Sequence, residues 1–165
     1  MKAPLKAGAL AGSVAVGATG AALLLWPGPG SSAKADASGG PAGAPKLTVS
    51  GAYVREPANP NVAAAYFSVR NTGGVGDELT GVRTSTAGPA EMHADSGSRM
   101  TALVSPRVPA GGSLSFQPGA DHVMLMDPGP LKPGDHVTLT LDFAKSGAIT
   151  VDAPVIAIDQ AAPTP

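Results

Sequence analysis

Beyond residue 46, no run of twelve or more residues keeps apolar side chains on a 3.6-residue period. This constrains the fold more than any other feature of the sequence. In place of helices the chain offers short apolar runs, each stopped by Gly, Pro, Asn or Asp. The runs are LTVSGAYV (47–54), AAAYFSVRN (63–71), ELTGVRTS (78–85), AEMHA (90–94), RMTALV (99–104), the SLSF of PAGGSLSFQPG, HVMLMD (122–127), HVTLTLDF (136–143) and AITVDAPVI (148–156). NTGGVGD, DSGS, PGPLKPGD and KSG supply turns between them. HVTLTLDF alternates cleanly and puts Val137, Leu139, Leu141 and Phe143 on one face. Eight or nine short strands at this spacing predict an all-β, antiparallel β-sandwich of Greek-key type. The 22 glycines and 17 prolines fit a turn-rich domain with small core side chains.

The first residues read differently. Lys2 and Lys6 precede an uncharged stretch at 7–26, Pro27 and Pro29 end it, and SSAKADA follows with small residues at alternate positions. Residues 1–35 are therefore expected to be a signal peptide or an N-terminal membrane anchor. Residues 36–46, DASGGPAGAPK, read as a flexible linker, 47–157 as the domain and 158–165 as a loose tail. The domain is expected outside the cytoplasmic membrane, in a periplasm or cell-wall space.

Composition removes several function classes. A formal charge of −1 gives no basic field for nucleic acid. With no cysteine, disulfides, thiolate metal sites, thiol nucleophiles and a lipid-bearing cysteine are excluded. No G-x-S-x-G or H-E-x-x-H occurs, and the carboxylates lie scattered among turns, so the chain is not expected to be an enzyme.

What remains is a set of histidines and methionines. In a strand, His122, Met124 and Met126 share one face while Val123 and Leu125 take the other. DSGS in HADSGSRM is a turn signal, so His93 and Met100 are expected to oppose each other across a hairpin. Two imidazoles and two thioethers form a soft donor set suited to Cu(I), whereas Mg²⁺ and Ca²⁺ want oxygen. Taken singly, Met124 or Met126 reads more readily as core filler than as a ligand, and His136, after PGD, reads as a surface residue.

The same residues resemble the signature of the periplasmic copper chaperone A (PCuAC) family, H-x10-M-x21-H-x-M. Met100 and His122 are separated by 21 residues, and His122-Val123-Met124 supplies the H-x-M. AAAYFSVRNTG, the stretch from ELTGV to AEMH, VPAGGSLSFQPGADHVMLMD and LKPGDHVTLTLDF are similar too, so the resemblance spans about 47–156. It implies a cupredoxin-like sandwich that binds one Cu(I) through His93, Met100, His122 and Met124; the chain is expected to be a monomer. It also implies an acceptor, cytochrome c oxidase subunit II or one of its assembly factors. Met126 falls outside the signature and is expected to pack or to serve as a nearby thioether. The chain departs from the pattern at His93, which has six residues before Met100 rather than ten. A loss of two residues from each hairpin arm keeps both side chains on their face. Tyr53 stands where the family often has tryptophan. Copper storage through the same site, or a metal-free interaction module, are the alternative readings; the second would need an aromatic or apolar patch that six aromatic residues scarcely supply.

Overall fold

The computed structural model describes residues 43–163. The segment expected as signal or anchor, and residues 36–42 of the linker, lie outside them. Ten strands form: β1 (Leu47–Arg55), β2 (Val62–Asn71), β3 (Asp77–Thr84), β4 (Ala90–Asp95), β5 (Met100–Ala102), β6 (Arg107–Val108), β7 (Ser113–Phe116), β8 (His122–Met126), β9 (His136–Phe143) and β10 (Gly147–Ile156). No helix occurs among the described residues. Every expected strand forms with ends within two residues of those read from sequence. The strand not foreseen is β6, whose two residues are too few to show alternation.

The strands pair in the order β5-β4-β8-β2-β1-β10-β9-β3-β6, and β7 also pairs with β2. β8 takes Val62–Ala65 of β2 and β7 takes Phe67–Arg70, so the two lie end to end along one side of it. One pairing is not antiparallel: β1 runs parallel to β10 at Val54↔Val155 and Arg55↔Ile156. The sheet is therefore mixed. β1 pairs with β2 along most of its length and then meets β10, which joins the two halves of the sheet. Its register shifts between Ser50 and Tyr53, where Gly51 takes a φ of 60° that a side chain would resist.

The curled sheet encloses one core. Ala63, Ala65, Phe67 and Val69 of β2 alternate with outward residues and meet Val123 and Leu125 of β8, Leu139 and Leu141 of β9, and Val155 of β10. Phe67 and Phe116 pack with ring centroids 4.7 Å apart and planes tilted by 34°. Each fully buried Val, Leu or Phe contributes about 1.5–3 kcal/mol over remaining exposed.

Two polar residues hold the turns. Asn71 is fully buried and fully bonded: its amide donates to the carbonyls of Val75 and Val108, and its oxygen accepts from Lys46 and Gly73 N–H. Gly73 is required there because a Cβ would lie 2.3 Å from the carbonyl oxygen of Ala44. Asp77 starts β3 and accepts from four donors, the backbone N–H groups of Glu78, Lys145 and Ser146 and the Ser146 hydroxyl. It thereby fastens the β9–β10 turn to β3.

Candidate metal centre

β8 builds the site and the core with alternate residues. Val123 and Leu125 are fully buried, while His122, Met124 and Met126 are half-buried on the opposite, outer face. The alternation expected from HVMLM is thus realised. On one side β8 pairs with β4, where His93 lies opposite His122 and Glu91 opposite Met124. On the other side it pairs with β2, where Ala64 faces Met124 and Val62 faces Met126. The small Ala64 leaves the thioether uncovered from that side. Tyr66, two residues beyond Ala64, stands on the same face.

The two imidazoles are near neighbours. Their ring centroids are 6.0 Å apart with planes inclined by 17°. His122 Nδ1 is 3.1 Å from the carbonyl oxygen of Ala120, and His93 Nε2 is 3.3 Å from Glu91 Oε2. The His93 side chain is 17 % exposed and that of Glu91 55 %.

Met100 is placed differently from the expected hairpin. It pairs with Asp95, while His93 pairs with Ala102. His93 and Met100 therefore share a face but stand diagonal to each other, with the Ala94↔Thr101 pair between their own pairs. The reason lies in the turn: Ser96 N–H donates to the Arg99 carbonyl and Gly97 N–H to the Asp95 carboxylate, closing a tight connection that fixes Asp95↔Met100 as the terminal pair. Met100 is 51 % exposed on β5, an edge strand of the sheet. His93, His122 and Met124 are brought together directly, and Met100 flanks them. Met126 continues the same face away from His93, against Val62. His136 is far from the group in the pairing order. It bonds Asp152 across β9–β10 and is exposed, as expected.

Two residues of this face were not singled out from sequence as site residues. Glu91 sits two residues before His93, so strand parity alone could have found it. Tyr66 stacks on Tyr53, with ring centroids 5.1 Å apart, and the Arg55 guanidinium lies 5.6 Å from the Tyr53 ring centroid. Burial raises both phenols above their ordinary range; Arg55 opposes this at each, and Tyr53 adds to it at Tyr66. Tyr53 is 4 % exposed, and its buried hydroxyl has no hydrogen-bond partner among the described residues.

The donor set decides what could bind. Among the described residues no three His, Asp or Glu side chains converge as a metal-binding group. A metal at this face must draw on thioether sulfur as well as imidazole, which selects a soft ion. A cleft of about 520 Å³ lies elsewhere, lined by residues including Asp77, Arg107, Val108 and Lys145. It contains no histidine or methionine. The site is an open sheet face and not a pocket.

Sheet order, core and donor set define a cupredoxin-like β-sandwich of the PCuAC type. The chain belongs to the LpqE-like family, whose model matches residues 47–155 and which is the PCuAC family. It is 31 % identical over 115 residues to a protein of Leifsonia xyli subsp. xyli named as lipoprotein Lxx21020, covering 66 % of this chain and 69 % of that one. Among solved structures it is similar to a copper-bound PCuAC domain from PmoF2, at 26 % identity and a TM-score of 0.59, over 68 % of this chain and 93 % of that domain. It is also similar to the Cu(I) form of DR1885 from Deinococcus radiodurans, at 28 % identity and a TM-score of 0.52, over 74 % and 83 % of the two chains.

Proposed function

We propose that this protein is an extracytoplasmic Cu(I) chaperone that delivers copper to the dinuclear copper centre of cytochrome c oxidase. The observation that carries the reading is the placement of His93 directly opposite His122, with Met124 two residues along on the same outer face. The copper-bound relatives support it. Two imidazoles and one thioether hold the ion, and Met100, on the flanking edge strand and diagonal to His93 on the same face, completes the set. Thioether sulfur favours Cu(I), while Cu(II) prefers nitrogen and oxygen donors. With no thiolate in the set, an acceptor offering cysteines binds the ion more strongly, so transfer runs downhill. The exposure of Met100 on an edge strand lets such an acceptor reach the ion without any opening of the core.

Export rests on residues 1–35 and is supported by the lipoprotein names carried by the family and the relative. The chain itself has no cysteine for a lipid, so retention at the membrane would fall to the apolar stretch at 7–26.

Anaerobic titration of the purified protein with Cu(I) against a chromophoric chelator tests the reading. One ion per chain is expected, with affinity reduced at least about tenfold (about 1.4 kcal/mol) in both His122→Ala and Met124→Ala. Unchanged affinity in both variants refutes the site. Oxidase activity that is normal in a deletion strain starved of copper refutes the delivery role while leaving binding intact.

A further inference from the structure

We propose that Glu91 is a positioning residue that sets which ring nitrogen His93 offers to the metal. The proposal deepens the copper-site reading and rests on it. Its starting point is that each candidate histidine already spends one nitrogen on an oxygen that can only accept. His122 Nδ1 is 3.1 Å from the Ala120 carbonyl, so Nδ1 carries the hydrogen and Nε2 keeps its lone pair. His93 Nε2 is 3.3 Å from the Glu91 carboxylate, so Nε2 carries the hydrogen and Nδ1 keeps its lone pair. The neighbouring rings are thus held in opposite tautomers and present different nitrogens.

That pattern is what ligating histidines ordinarily show: the second nitrogen donates to a carboxylate or backbone carbonyl, which fixes ring orientation and raises ligand basicity. Strand parity puts two carboxylates of β4 on the face of His93, and Asp95 is already engaged by Gly97 N–H, which leaves Glu91 as the partner. Glu91 is two residues earlier on β4, on the same face, and lies opposite Met124. Glu91 is therefore the residue across the ladder from Met124, and its carboxylate reaches the His93 imidazole. Glu91 is the exposed residue of β4, so it can hold His93 without closing the site to an incoming ion.

The experiment uses the full chain, uniformly labelled with ¹⁵N, as wild type, Glu91→Ala and Glu91→Gln. Long-range ¹H–¹⁵N correlations of the metal-free protein report the tautomer of each histidine, and Cu(I) affinity is measured in parallel by chelator competition. In wild type, His93 is expected as the Nε2–H form and His122 as the Nδ1–H form. In Glu91→Ala, His93 loses its preference, His122 keeps its own as the control for folding, and Cu(I) binding weakens by about tenfold, the lower end of the usual effect for such partners. Glu91→Gln retains an acceptor oxygen and is expected to restore the His93 tautomer and most of the affinity. A His93 tautomer unchanged in Glu91→Ala, or found as Nδ1–H in wild type, overturns the proposal. So does a tautomer change with no loss of affinity. Equal affinity loss in both variants with tautomers unmoved also overturns it, and makes the carboxylate a direct donor. Failure of wild type to bind Cu(I) defeats the copper reading instead, while the tautomer comparison still decides whether Glu91 governs His93.

Discussion

Replacing Asp77 with Asn should destabilise the fold in a pH-dependent way, and the structure gives the size of the effect. The Asp77 side chain is 2 % exposed as a residue, and its two oxygens accept from four donors, three backbone N–H groups and the Ser146 hydroxyl. An Asn oxygen can still accept from Glu78 and Lys145 N–H. The Asn NH₂ must then face Ser146 N–H, which loses its acceptor, and the remaining bonds lose their ionic character. One unsatisfied buried donor costs about 1–3 kcal/mol, so a total of about 2–3 kcal/mol is expected at neutral pH. For a domain of this size that lowers the melting temperature by roughly 8–12 °C. Burial by itself would raise the pKa of Asp77. The hydrogen bonds from Ser146, Glu78 and Lys145 outweigh it and bring the carboxyl below its ordinary value. A depressed folded-state pKa means stability fully present above the unfolded-state value of about 3.9 and lost as pH falls from there through the folded-state value. Thermal melts followed by circular dichroism should therefore show wild type and Asp77→Asn well apart at pH 7 and converging in acid as pH falls below the unfolded-state value of about 3.9. A gap of the same size at pH 7 and in acid, or a gap under about 0.5 kcal/mol at pH 7, would refute the role given to the carboxylate.

Other outcomes follow from the same geometry. Met124→Leu should weaken Cu(I) binding by about tenfold or more, and Met100→Leu by less, because Met124 neighbours His122 along its own strand as well as His93 diagonally, while Met100 neighbours His93 alone; chelator competition on the two variants checks the order, and a reversed order would place the ion toward β5. Gly88→Ala should cost about 2–3 kcal/mol in urea unfolding, since its Cβ would fall 1.8 Å from the Met126 carbonyl oxygen and the 2.9 Å bond from Met126 N–H to the Pro89 carbonyl would have to yield. A neutral Gly88→Ala would show that this loop is not held against β8.

How much of this was legible in the sequence depends on the range of the interaction. The alternation in HVMLM settles both the core side and the donor side of β8, because strand parity is local. Parity also put His93 and Met100 on one face. It could not give their pairing, because DSGS allows more than one turn and only the closed connection makes Asp95, and not His93, the partner of Met100. The parallel contact of β1 with β10 joins segments about 100 residues apart, and nothing in either run announces it. Asp77 looked like one more turn acid, since its four donors come mostly from a turn far along the chain. Glu91 was within reach of the parity argument that found His93, and was missed because a carboxylate does not belong to a soft donor set.

The division of labour along β8 also bears on how such a chain can change length over evolutionary time. A single inserted or deleted residue within His122–Met126 would turn the imidazole and thioether into the core and bring Val123 and Leu125 to the surface. The strand is therefore closed to insertion. The β4–β5 hairpin is open to it, because residues beyond the Asp95↔Met100 pair project past the sheet and carry no donor. Even-numbered trimming there leaves every facing intact. The six-residue interval between His93 and Met100 is of the length that such trimming would leave, with both side chains still on one face.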